Sequence, residues 1–359
     1  MRILISGRIY PDSFARNIAA AAEGMGHSVM AVDPWPVRRH WGYSLEVIGG
    51  YLPKVLPSLE KRRQRALIRS AGVFQPDLVL ISHGTLDPDV VRHVREVTPA
   101  KLAAWYPDSL ANLGRQYLLA SDLDAWFFKD PYMVDLFRAK LGLNAHYLPE
   151  ACNPRWHRRV DLSDEDRRKY GCDLASACGM YYYRARILEG FADYDLKLWG
   201  TGFPFWLSSP LRARYQNQYV AELEKSKAFN AAKIVLNTMC VGEIEGVNCR
   251  IFEAAGCGAF QIADWKPALA ELFEPEREIV TFRTREELRE KVDCYLACPE
   301  ERQAIADRAY ARAHREHTYE IRLQRMFEIL GFPAVALKPH GTAASHLSNS
   351  RASANQVAQ

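Results

Sequence analysis

Two glutamates, Glu245 and Glu253, stand with seven residues between them in the run Glu245-Gly246-Val247-Asn248-Cys249-Arg250-Ile251-Phe252-Glu253. A loop holding Gly242 and Gly246 precedes the run, and the pattern predicts a helix opening near Asn248 and stopping at Gly256 to Gly258. Such a loop delivers the backbone N–H groups of Val247 and Asn248 with the positive end of a helix behind them, which makes an anion site. Arg250 adds a guanidinium that can fork onto a phosphate. Glu253, about one turn into the helix, can accept two hydrogen bonds from a ribose diol. Glu245 can hold hydroxyls of a sugar. Taken singly, two glutamates and a few glycines are an ordinary solvated loop; spacing, loop and helix start together point to chemistry.

Other candidates stand where strands are expected to end. Gly179-Met180-Tyr181-Tyr182-Tyr183-Arg184-Ala185-Arg186 follows one strand and opens a helix. Either Arg184 or Arg186 can serve an anion there, or both are solvated helix arginines. Lys233 precedes the strand Ile234 to Asn237, where a surface role fits equally. Gly200, with Thr201 and Gly202, follows Trp199 and either shapes a ligand wall or simply turns the chain. Gly7 ends the first strand and can let a backbone approach a diphosphate or an acceptor. His83 ends a later strand, though a lone histidine is more often structural. Asp108, in Trp105-Tyr106-Pro107-Asp108-Ser109, can orient an acceptor hydroxyl, act as a base if the reaction inverts, or cap the next helix. Glu150, in Leu148-Pro149-Glu150-Ala151, marks the crossover between the halves and reads as a hinge element, with an acceptor contact open.

The elements that must position these residues alternate. Arg2 to Ser6 is a short β-rich run. Phe14, Ile18, Ala22 and Met25 follow at helical spacing, and Ser28 to Val32 is a second strand. That βαβ unit implies a parallel sheet. Buried strands are expected at Pro76–Ser82, Lys101–Tyr106, Ala125–Phe128 and Ala145–Leu148, with helices between them. After a charged, turn-rich stretch the alternation restarts at Asp173–Cys178, Leu196–Trp199, Ile234–Asn237, Ala259–Ala263 and Glu278–Phe282, and long helices fill Arg285 to Leu330. The organisation expected is therefore 1–150 as one doubly wound α/β domain, 151–171 as a connector, 172–337 as a second, and 338–359 as a disordered tail too poor in large apolar residues to fold. Open parallel sheets bind ligands beyond the carboxyl ends of their strands, so two facing domains put the site in the cleft between them.

The pair Glu245 and Glu253 resembles the E-x7-E element of retaining GT-B glycosyltransferases. The longer run GVNCRIFEAAGCGAFQIAD, the following LAELFEPEREIVTF and the helical YARAHREHTYEIRLQRMFEIL resemble the CgeB-like (spore-maturation-type) glycosyltransferases, over most of residues 172–330. The resemblance implies a GT-B fold, in which two Rossmann-like parallel-sheet domains face each other across a cleft. It implies transfer of a sugar from a nucleotide-sugar donor, UDP- or GDP-linked, to an acceptor not identified by the sequence, with retention and without a metal. By the same resemblance Glu253 binds the ribose, and Gly246, Val247 and Asn248 present amides to the diphosphate and sugar. Glu245 contacts the donor sugar, Gly179 with Arg184 or Arg186 meets the diphosphate, Lys233 recurs, and His83 lies near the anomeric centre. Many retaining transferases carry Gly-Phe-Gly-Leu after the first glutamate, where this chain has Gly246-Val247-Asn248-Cys249.

Composition removes other classes. The chain has 359 residues, 48% hydrophobic and 25% charged, the balance of a globular protein long enough for two domains. Its net charge of +4, from 47 Lys+Arg against 43 Asp+Glu, is too mild to imply nucleic acid. No stretch approaches the ~18 apolar residues of a membrane span, and the apolar start is too short for a secretory leader. A cytoplasmic location is therefore expected. The eight cysteines include no CxxC pair and read as reduced thiols. No cofactor is called for, and no Asp-x-Asp cluster stands out to hold a metal. Trp35, Trp41, Tyr43 and Tyr51 can line an acceptor groove or pack locally. Three rival readings remain: a GT-B-fold nucleotide-sugar epimerase or hydrolase, a non-catalytic nucleotide-sugar-binding protein and, weakest, a Rossmann oxidoreductase, which lacks the G-x-G-x-x-G fingerprint after Gly7.

Overall fold

The computed structural model describes residues 1–33, 57–113, 116–200 and 202–334. Trp35, Trp41, Tyr43, Tyr51, Thr201 and the tail 338–359 lie outside the described residues. Among the described residues six strands form the first sheet: β1 (Arg2–Ser6), β2 (Ser28–Val32), β3 (Leu78–Ile81), β4 (Lys101–Tyr106), β5 (Ala125–Phe128) and β6 (Ala145–Tyr147), in the order β2-β1-β3-β4-β5-β6. Five form the second: β7 (Cys172–Ala177), β8 (Leu196–Trp199), β9 (Ala232–Asn237), β10 (Gln261–Asp264) and β11 (Val280–Phe282), in the order β11-β10-β9-β7-β8. Every strand pair is parallel. Parallel strands need crossovers and helices on both faces, so their sequences are nearly continuous apolar runs. Leu78–Ile81 and Ala125–Phe128 are buried throughout. Both halves are thus Rossmann-like, as the alternation predicts.

Two apolar layers sandwich the first sheet. On one face Leu4, Val79, Ile81 and Phe128 pack against the helices Pro57–Phe74, Pro88–Val97 and Pro131–Leu141. On the other, Ile3, Ile5, Trp105 and Phe127 pack against helix Phe14–Gly24 and against Tyr319, Leu323, Met326 and Phe327 of the final helix Tyr319–Ile329. The last helix therefore crosses back onto the first sheet, whereas the sequence reading groups it with 172–337. Its apolar stripe at four- and three-residue steps marks an amphipathic helix, but periodicity alone does not name the sheet it covers. The connector is pinned as well: Cys152 N–H donates to His317 O at 2.9 Å, and Tyr319 N–H to Cys152 O at 3.1 Å.

Candidate active site

The loops beyond the carboxyl ends of both sheets enclose a cavity of about 270 Å³. Tyr10, Asp12, Ser13 and Phe14 after β1, Pro107 and Asp108 after β4, and Glu150 form one wall. Ala177, Cys178 and Gly179 at the end of β7, Trp199 and Gly200 at the end of β8, and Tyr219, Val220 and Lys225 form the other, with Cys249, Arg250 and Glu253 at the start of helix Arg250–Cys257. The strand order reverses between β1 and β3 in the first sheet and between β7 and β9 in the second, and such a reversal opens a crevice beyond the strand ends.

At the centre is a buried charge cluster. The Lys225 ammonium bonds Asp12 Oδ2 and stands 2.8 Å from Glu253 Oε2, so one lysine joins the β1 loop of the first domain to the helix of the second. Its side chain is 8% exposed, that of Glu253 3% and that of Asp12 0%, so the three charges can persist only by compensating one another. His157 accepts the Asn153 N–H at Nδ1, which leaves Nε2 carrying its proton 3.0 Å from Asp12 Oδ1. Burial alone would raise the Asp12 carboxyl, but Lys225 and His157 hold it well below the usual carboxylate range. Burial pulls the Lys225 ammonium down, and Asp12 and Glu253 more than reverse that. Asp12, His157 and Glu253 place ligand atoms within 4.8 Å of one another, a spacing a metal could bridge, but the Lys225 ammonium already bonds both carboxylates.

A second buried pair closes the domains. Lys129 Nζ donates to Glu243 Oε1 at 2.8 Å and stands 3.8 Å from Glu150 Oε2. The Asp130 carboxylate accepts the N–H groups of Ile244 at 3.0 Å and Glu245 at 3.3 Å. Gly246 is required by this contact: a Cβ there would lie 2.6 Å from Lys129 O and 2.8 Å from Asp130 Cα.

Of the residues singled out from sequence, Asp108, Glu150, Gly179, Gly200, Arg250 and Glu253 line the cavity. Among the described residues Arg250 Nε is buried with no hydrogen-bond partner, a donor without an acceptor in a cavity wall. Gly200 is forced by close approach, since a Cβ would meet the Tyr215 hydroxyl at 2.5 Å and Cys178 O at 2.6 Å.

The other candidates stand elsewhere. Arg184 is buried and ties two loops together: Nε donates to Thr238 Oγ1 and Nη2 to Thr238 O, each at 2.8 Å, while Nη1 bonds Gly179 O. Arg186 is exposed and pairs with Glu189 one turn on, and exposed Lys233 pairs with Asp173 at 2.7 Å. Val247 is fully buried in the core under the helix Arg250–Cys257. Asn248 donates to Asn237 Oδ1 at 3.1 Å and accepts Arg250 N–H at 3.1 Å, which fixes the turn into that helix. Glu245 is half-buried, and its N–H is spent on Asp130. Gly7 packs the β1 loop against Ser82, whose Oγ would lie 2.0 Å from an added Cβ. His83 is held by Ser6 Oγ at 3.0 Å and Thr85 Oγ1 at 3.2 Å, and burial lowers its pKa to about 3. It is a neutral ring.

Sequence reasoning passed over Asp12, Lys225, His157, Tyr10 and Tyr219. Asp12 carried a usable signal, since it lies in the loop between β1 and the helix Phe14–Gly24, and the loops after strand ends are where this fold builds sites. Lys225 carried none, because one lysine on a polar helix reads as solvated. Tyr219 donates its hydroxyl to Pro11 O at 3.2 Å and meets Tyr10 edge-on with ring centroids 6.4 Å apart, closing the cavity across the domains.

Residues 184–328 match the family model described as glycosyl transferase-like. No curated protein matches the chain by sequence. Solved structures share its architecture: sucrose-phosphate synthase from Thermosynechococcus elongatus superposes with a TM-score of 0.64 at 12% identity, covering 92% of this chain and 98% of that one. Anabaena HepE in complex with UDP-glucose superposes with 0.64 at 13%, covering 92% and 99%. An E. coli trehalose-6-phosphate structure bound with UDP-2-fluoro glucose superposes with 0.63 at 12%, covering 93% and 100%. Among the described residues no helix is long and apolar enough to cross a membrane. The chain has the GT-B fold, and residues 184–328 are similar to the glycosyl transferase-like family.

Proposed function

We propose that this chain is a glycosyltransferase that moves a sugar from a UDP- or GDP-linked donor to an acceptor hydroxyl, with retention, without a metal and in the cytoplasm. The observation that carries the reading is the pair Arg250 and Glu253, three residues apart on one helix face, both lining the interdomain cavity, with Arg250 Nε unpartnered. Breaking the sugar–phosphate bond puts charge on the leaving diphosphate, and a fixed guanidinium at a helix start is suited to receive it. Glu253 takes the ribose hydroxyls, and the ammonium of Lys225 supplies positive charge beside it. The solved structures with UDP-glucose and UDP-2-fluoro glucose have the same fold, which supports a nucleotide sugar as donor. The CgeB-like pattern around GVNCRIFEAAGCG is the finer assignment within that class, and it proposes Glu245 as a donor-sugar contact. Closure of the domains keeps water from the bond.

Calorimetry with UDP, GDP, ADP and TDP tests the donor site. One nucleotide family should bind saturably, and Arg250→Ala and Glu253→Ala should each weaken it about 10–100-fold, the worth of a charge-assisted hydrogen bond. Absence of binding to every nucleotide by the folded wild-type chain would refute the reading. Donor consumption in water alone, at a rate no acceptor increases, would replace transfer with hydrolysis.

A further inference from the structure

Glu150 is a buried carboxyl left without work by the donor site as described. It is 5% exposed and lines the cavity. Among the described residues no hydrogen bond reaches its carboxyl oxygens. Lys129 stands 3.8 Å away and spends its short contact, 2.8 Å, on Glu243. The backbone that carries it is anchored, because Arg322 Nε donates to Pro149 O at 3.1 Å and to Glu150 O at 3.4 Å. A satisfied core would not leave such a group idle.

Around it are Lys129 and Glu243 from the two interdomain loops, Cys249, Arg250 and Glu253 from the helix start, and Tyr319 from the last helix. Lys129 and Glu243 already neutralise each other. An ionised Glu150 would add a negative charge beside Glu243 and Glu253, opposed by Lys129 and Arg250. Burial, against the pull of Lys129, raises its pKa to about 8. At neutral pH it is an O–H donor and a carbonyl acceptor together, which complements a hydroxyl rather than a phosphate.

Arg250 is flanked electrostatically by both carboxyls, Glu253 and Glu150. A donor with its ribose at Glu253 and its diphosphate at Arg250 carries its sugar on the remaining end. We propose that Glu150 is a specificity-determining residue that binds a hydroxyl of the donor's sugar. The proposal rests on the donor-site reading above.

The test is calorimetry on the full chain with free UDP and GDP and with UDP- and GDP-linked hexoses, below and above pH 8. The wild type should prefer a sugar nucleotide over its nucleoside diphosphate by about 10-fold, one buried hydrogen bond's worth. That preference should shrink above about pH 8. Glu150→Ala should lose the preference while binding the nucleoside diphosphate as the wild type does, which also shows that it folds. Glu150→Gln, which keeps an N–H donor in place, should retain it and lose its alkaline decline. If Glu150→Ala keeps the full preference, or Glu150→Gln is as defective as Glu150→Ala, the proposal is overturned and the donor site stands. If the wild type binds no nucleotide at any pH, the donor reading itself falls.

Discussion

Lys225→Met removes the single cation that two buried carboxylates share. Breaking a buried ion pair by deleting one partner costs about 3–5 kcal/mol, because the remaining charge stays desolvated. Here Asp12 and Glu253 both lose their ammonium, and what remains around Asp12 is the Asn17 amide, the Glu222 N–H and the His157 ring. A loss of about 4 kcal/mol corresponds to a fall in Tm of roughly 10 °C for a domain of this size. The loss must depend on pH. Asp12 has a depressed pKa in the folded protein, so the stability it contributes is present above the ordinary carboxylate range and disappears as pH falls through its folded value. The variant has no such stability to lose, since its unpaired carboxylates recover by taking up a proton. The Tm curves of wild type and variant, measured by calorimetric scans across the acid range, should therefore converge on acidification. Adding Glu253→Gln should restore part of the loss. A Tm change below about 2 °C, or a gap independent of pH, would show that Lys225 does not compensate these carboxylates.

Two further outcomes follow from the same geometry. Gly246→Ala puts a Cβ 2.6 Å from Lys129 O, so the interdomain loop must shift; overpacking of this kind costs about 1–3 kcal/mol, measurable by thermal unfolding, and unchanged stability would mean the loop has slack. His83 and His317 have pKa values lowered to about 3 and about 4 by burial, His317 with Arg322 donating to its Nδ1, so both are neutral when folded. Because each takes a proton more readily when unfolded, stability should fall as pH drops from about 6.5 towards 4, by up to ~1.4 kcal/mol per pH unit per ring, and His317→Gln should flatten that limb in urea titrations.

What the sequence discloses here is periodicity and local pattern. The strands were legible because parallel strands buried on both faces are short apolar runs, as in Leu78–Ile81 and Ala125–Phe128, and the cleft followed from where such strands end. The helix that carries Arg250 and Glu253 was legible, expected to open near Asn248 and observed from Arg250, because a glycine-bearing loop precedes it and Gly256 to Gly258 end it. What was not legible depends on partners distant in sequence. Lys225 and Arg184 are both basic residues near helix starts, yet one lies between two carboxylates and the other is consumed by Thr238 and Gly179, 54 and 5 residues away. Nothing in their immediate neighbours distinguishes them. Gly246 was read as a residue that opens a backbone to a ligand. Its neighbours are instead the backbone of Lys129 and Asp130, so the glycine that would favour ligand approach serves domain approach. The two uses are related. The loop that follows Glu243 is clamped to the first domain by Lys129 and Asp130, and its far end begins the helix that carries Arg250 and Glu253. A movement of the first domain is therefore transmitted to the cavity through only a few residues of backbone. For that reason Lys225 and Gly246, neither of which need touch a substrate, govern how rigidly the cavity is held.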